Sequence, residues 1–150
     1  MSEMDEFSRD LAENLTAIDE ARGALLAQIR GLSPEDLRRV RRGGWSVQEV
    51  LRHVIDSEVA YTKVVGFLRS KPADLSNASG DDVSSGPAAG EALERTRQAV
   101  MSLLAGMDEN TFYELRALGK EQYSVVSVLE NVASHDHEHL EQISKTLSSH

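Results

Sequence analysis

No cysteine occurs in the 150 residues. Disulfides, thiolate nucleophiles and cysteine-ligated zinc are therefore excluded, and any bound metal must use His, Asp, Glu or water. Proline is almost as scarce: it occurs only at positions 34, 72 and 87. Long apolar runs are missing too, since none approaches the ~20 residues that a membrane-spanning helix needs. Basic residues are outnumbered, 16 against 25 acidic ones, for a net charge of −9. This balance argues against sequence-independent binding to nucleic acid, which needs a positive surface to displace counterions. It argues equally against docking on an anionic membrane. The opening MSEMDEFSRD is polar and acidic, unlike a signal or transit peptide. A cytoplasmic protein is expected.

What is present is an ordinary globular composition, 40% apolar and 27% charged. A chain of this length fits one domain, residues 1–150, and can bury a full core unaided. Four stretches carry helical periodicity. The first runs through Phe7, Leu11, Leu15, Ile18, Leu25, Ile29 and Leu32, with Gly31 near its end. Ser33-Pro34-Glu35-Asp36 reads as the start of a short helix that Gly43-Gly44 stops. Ser46 and Glu49 form a capping-box pattern. They open a long helix through Val47, Val50, Leu51, Val54, Tyr61, Val65 and Leu68, which Pro72 ends. Residues 71–90 are rich in Gly, Ser, Asp and Pro and read as a loop, with no phosphate-binding glycine order within it. Pro87 opens a third long helix, striped by Leu93, Thr96, Val100, Leu103, Leu104 and Met107. Residues 108–122 read as a loop with one helical turn. The fourth long helix begins near Ser124 and carries Val125, Leu129, Val132, Leu140, Ile143 and Leu147. No strand pattern stands out, so the expected fold is an all-α four-helix bundle.

Three of the five histidines fall within five residues: His135, His137 and His139. Residues four apart on a helix share a face, about 5–6 Å between Cβ atoms, so His135 and His139 can grip one ion. His137 is rotated by roughly 200° from either neighbour at ~100° per residue and cannot join them. With His150 it reads as a solvent residue. His135 and His139 flank the apolar stripe of their helix, and His53 flanks that of the second long helix. If those edges meet, three neutral imidazoles converge and leave coordination positions open, as in catalytic metal sites. Each histidine also has an ordinary reading, as a surface or satisfied core residue, and the residues by themselves leave both open.

Two segments carry a resemblance. Gly44-Trp45-Ser46-Val47-Gln48-Glu49-Val50-Leu51-Arg52-His53-Val54 resembles the second-helix signature of the DinB-like (DinB/YfiT) bundle proteins. VLENVASHDHEHLEQI, from Val128 to Ile143, resembles their last helix. The resemblance spans nearly the whole chain. It implies a four-helix bundle, often a homodimer, with His53, His135 and His139 as ligands of one divalent ion, Zn or Ni. It also implies a small-molecule substrate. Some relatives transfer a low-molecular-weight thiol such as bacillithiol or mycothiol to an electrophile, so a metal-dependent S-transferase is one expectation. A non-catalytic metal-binding or small-molecule-binding dimer and a metal-dependent hydrolase are the alternatives.

Asp136 lies near the centre of the last helix's apolar stripe and, if buried, needs a partner. It is expected either to orient a ligand histidine or act as a base near the metal, or to hydrogen-bond Trp45, a Tyr or a helix cap. Asp56 and Glu58, a turn past His53, are expected to be solvated or paired with Arg or Lys. Tyr61 is expected in the core. The basic run Arg38, Arg39, Arg41 and Arg42 is expected to be a solvated face, with contact to an anionic substrate near Trp45 as its functional reading.

Overall fold

The computed structural model describes residues 5–75 and 83–148. Four long helices form the bundle: α1 (Glu6–Ile29), α3 (Val47–Arg69), α4 (Gly86–Leu104) and α6 (Val125–Ser148). Two short helices, α2 (Pro34–Arg38) and α5 (Glu109–Tyr113), sit in the connections. The all-α expectation holds with one correction. Strands β1 (Arg116–Leu118) and β2 (Glu121–Tyr123) pair antiparallel, with Arg116 opposite Tyr123 and Leu118 opposite Glu121. Three-residue strands are too short to show a period-two pattern. The turn between them places Gly119 at φ +66°, at the first central position, where a hairpin favours glycine. His150, the N-terminal Met1–Met4 and residues 76–82 of the long loop lie outside the described residues.

Local chemistry sets the helix ends. Ser33 with Asp36, and Ser46 with Glu49, each form a complete capping box. Ser85 caps α4, and Pro87 sits in its first turn. The C-termini follow weaker local signals. Helix α1 stops at Ile29, and Gly31 does not adopt the left-handed conformation of a glycine cap. Leu32 lies beyond the helix yet packs on the core. Ser70, at φ +53°, terminates α3 two residues before Pro72. Met107 follows the end of α4, after Gly106 at φ +71°, and still packs inward.

The apolar interior is divided into two clusters. One gathers Leu25, Ile29, Leu51, Ile55, Leu93 and Ile143; the other gathers Ile18, Val65, Val100, Phe112, Leu129 and Val132. Between them, at mid-height, lies a polar layer to which all four long helices contribute. Arg22 of α1 donates to Asp136 of α6 (Nε to Oδ2, 2.9 Å) and to Glu58 of α3 (Nη2 to Oε1, 2.8 Å). Arg97 of α4 donates to Glu58 at 2.8 Å and to Asp136 at 3.2 Å. Thr96 adds a hydroxyl to Glu58 at 2.9 Å. Arg22, Glu58 and Asp136 are 4%, 2% and 1% exposed. Two cations face two anions, so the layer is formally neutral and its hydrogen bonds offset the cost of burial.

Gly86 sets the approach of α4 to the end of α1. A Cβ there would lie 2.2 Å from the Ile29 carbonyl oxygen and 3.0 Å from that of Leu32. Backbone atoms cannot swing aside, so Gly86→Ala must push α4 outward. We expect a loss of roughly 1–3 kcal/mol, the usual cost of overpacking, measured by urea denaturation.

Candidate metal centre

Helices α3 and α6 pack along one another and bring His53 against His135 and His139. The pair lies one turn apart on α6, as the spacing requires, and His137 points to solvent. The Nε2 atom of His135 is 3.3 Å from that of His53 and 2.9 Å from that of His139. One ligand atom from each of the three falls within 4.8 Å of the others. Ring centroids are 4.2–5.2 Å apart. His139 is 9% exposed, while His53 and His135 are half-buried at the bundle's edge.

This set fits a divalent ion. Zn–N bonds of about 2.0–2.1 Å in tetrahedral geometry place ligand nitrogens roughly 3.3–3.4 Å apart. The observed 3.3 and 2.9 Å separations are near that value. Without a cation, three ring nitrogens face one another and few protons can be shared among them. Burial pushes the His135 imidazole down to about 4, and the neighbouring His139 and His53 push the same way against Asp136 and Glu138. Burial and His139 also lower His53, opposed by Asp56. Both rings are therefore neutral near pH 7, the form that binds metal.

His139 is further fixed by a residue the sequence did not single out. Its Nδ1 lies 2.7 Å from Oε1 of Gln142. With Nδ1–H donating to the amide oxygen, the lone pair of Nε2 is left facing the other two rings. Such partners orient metal ligands, and their loss costs about 10–100-fold in metal affinity. Gln142→Leu should weaken Zn binding by that factor in a competition titration, with the fold unchanged.

Two aromatic rings border the cluster. Trp45 stands edge-on to His53, with centroids 5.2 Å apart, and is 46% exposed. Tyr61 stands edge-on to His135 at 6.0 Å. It packs against the core as expected but is only half-buried, so it also walls the site. A cleft of about 340 Å³ runs along α3 beside His53, lined by Trp45, Glu49, Arg52, His53 and Asp56. A larger cavity of about 600 Å³, between the end of α3 and α4, touches none of the three histidines, whereas the smaller cleft opens beside His53.

Asp136 differs from both expectations. Its carboxylate lies in the polar layer and is held by Arg22 and Arg97, not by a ligand histidine, Trp45, a tyrosine or a helix cap. Glu58 has the Arg partners expected of it but is buried, while Asp56 is exposed. Arg38, Arg39, Arg41 and Arg42 are exposed, as expected of a solvated run.

No helix among the described residues is long and apolar enough to cross a membrane. Residues 17–143 match the family model of the DinB superfamily, a span that includes all three histidines. No curated protein and no solved structure matches the chain.

Proposed function

The chain belongs to the DinB superfamily, and from that premise we propose that it binds one Zn or Ni ion through His53, His135 and His139 and transfers a low-molecular-weight thiol to an electrophile. The observation that carries this reading is the convergence of three imidazole nitrogens on one point, with burial holding the His53 and His135 rings neutral near pH 7. Three nitrogen ligands leave further coordination positions for substrate. A divalent ion held there makes a thiol or water that coordinates it more acidic at neutral pH.

The chain's own residues supply the rest. Gln142 holds His139 in the ligating tautomer. Trp45 and Tyr61 stand edge-on to His53 and His135 and border the site. With no cysteine in the protein, the reacting sulfur must arrive with the substrate. In the transfer, a sulfur–carbon bond forms as the electrophile's bond to its leaving group breaks, and the thiol proton departs with that group. Hydrolysis is the alternative reading, with water in the place of the thiol.

The test is thiol consumption by the Zn- or Ni-loaded chain with monobromobimane, run separately with bacillithiol, mycothiol and glutathione. The proposal expects one thiol to react well above the uncatalysed rate, and His139→Ala to abolish the excess. A metal-loaded chain that accelerates none of them is a binding protein, not a transferase.

A further inference from the structure

The cleft beside His53 contains more than a metal site requires. Residues 39–47 form a tight loop, held by Val47 N–H donating to the Arg39 carbonyl at 3.0 Å and Gly44 N–H to the Arg41 carbonyl at 2.7 Å. Gly43 turns this loop at φ +76°. The effect is to hold the only indole of the chain half in solvent, against a candidate metal ligand. An exposed aromatic face at the lip of a site is a platform for a flat apolar group.

Arg52 follows along the same stripe of α3. Unlike Arg22 and Arg97, it makes no hydrogen bond or ion pair among the described residues, and it lines the open cleft. Glu49 and Asp56 lie three residues before it and four after it, on the same face. Glu49 is already engaged, its Oε1 accepting from Ser46 N–H at 3.1 Å. The two acids flank the guanidinium without forming an ion pair with it, although its charge helps to lower the Glu49 carboxyl. Three neutral imidazoles leave the proposed ion's charge of +2 uncompensated. Set against it are −1 each for Glu49, Asp56 and Glu138, the last acting on His135, and +1 for Arg52, so the occupied site comes to neutral in a chain whose overall charge is −9.

We propose that this cleft selects ligands that carry a carboxylate beside a flat apolar group, with Arg52 receiving the carboxylate and Trp45 the flat face. The charge argument rests on the metal reading above; the contacts to Arg52 and Trp45 do not. A guanidinium fork matches a carboxylate with two parallel hydrogen bonds, which a lysine cannot reproduce.

Because Trp45 is the sole tryptophan, its fluorescence reports on this cleft alone. The metal-loaded chain, its metal content fixed by elemental analysis, is titrated with benzoate and with benzamide, a neutral ligand of similar shape. Benzoate should change Trp45 emission saturably and bind about tenfold more tightly than benzamide, the scale of a charge-assisted hydrogen bond. Arg52→Gln should remove that preference, and Arg52→Lys should retain only part of it. Arg52 is exposed, so neither change threatens the fold. Equal binding of the two ligands, or no saturable change, overturns the inference while the metal reading stands. So does a preference that survives Arg52→Gln and disappears in His139→Ala, because the carboxylate would then sit on the ion. Failure of the chain to take up metal overturns the metal reading and the charge argument built on it.

Discussion

Arg22→Met should cost about 3–5 kcal/mol, the usual result of removing one partner from a buried ion pair. The Arg22 guanidinium donates to both Asp136 and Glu58, and its Nη1 also donates to the Leu93 carbonyl at 2.9 Å. Its loss leaves two buried carboxylates sharing Arg97 alone, a layer with net charge −1. Native domains hold roughly 5–15 kcal/mol in total, so the variant will be close to unfolding at ambient temperature. Adding Asp136→Leu restores neutrality, leaving Glu58 with Arg97. The double variant should recover part of the loss, giving a favourable coupling of about 0.5–3 kcal/mol in a double-mutant cycle. Urea denaturation of the four proteins reads this directly. Additive losses would mean that the layer is not one electrostatic unit.

The same layer sets the acid limit. Burial on its own raises the Glu58 carboxyl, but the charges of Arg22 and Arg97 outweigh it and hold the group below its ordinary value of 4.5. The unfolded chain therefore takes up that proton first as pH falls. The stability it contributes is complete above about pH 4.5 and declines below it. His135 acts in the same direction at higher pH, because the unfolded imidazole protonates near 6.5 and the folded one near 4. The metal-free protein should thus lose stability in two stages, first below pH 6.5 and then below 4.5.

Metal should have the second large effect. An ion that binds only the folded chain adds about 2.7 kcal/mol at a hundredfold excess over its Kd. For a domain of this size that raises Tm by roughly 5–10 °C. Zn or Ni should produce this shift, a chelator should reverse it, and His135→Ala or His139→Ala should abolish it. A shift that persists in both variants would place the ion elsewhere.

Much of this was legible in the sequence because helix periodicity, capping boxes and the four-residue histidine spacing are local signals. The three histidines could be placed at the edges of their apolar stripes from the ~100° step alone. Whether the edges of α3 and α6 meet depends on tertiary packing, which a stripe does not encode. The hairpin was missed because each strand has three residues and its pairing rests on one glycine turn. The partners of Asp136 were missed for another reason. The apolar stripes are interrupted by a polar residue at matching heights: Arg22 between Ile18 and Leu25, Glu58 between Val54 and Tyr61, and Asp136 between Val132 and Leu140, with Thr96 the polar member of the third stripe. Each looks incidental by itself. Together they mark one polar layer, visible only once the helices are aligned. Gln142 and Arg52 carried no such signal, since polar residues on a half-exposed helix face are ordinary.

The central claim is that three imidazoles share one ion, and elemental analysis tests it most directly. The untagged chain is purified without chelator and compared with its His135→Ala variant. The account predicts about one equivalent of Zn or Ni per chain, as a three-histidine site holds, and its loss in the variant. A chain that carries no metal, and takes none up when Zn or Ni is added, would contradict it.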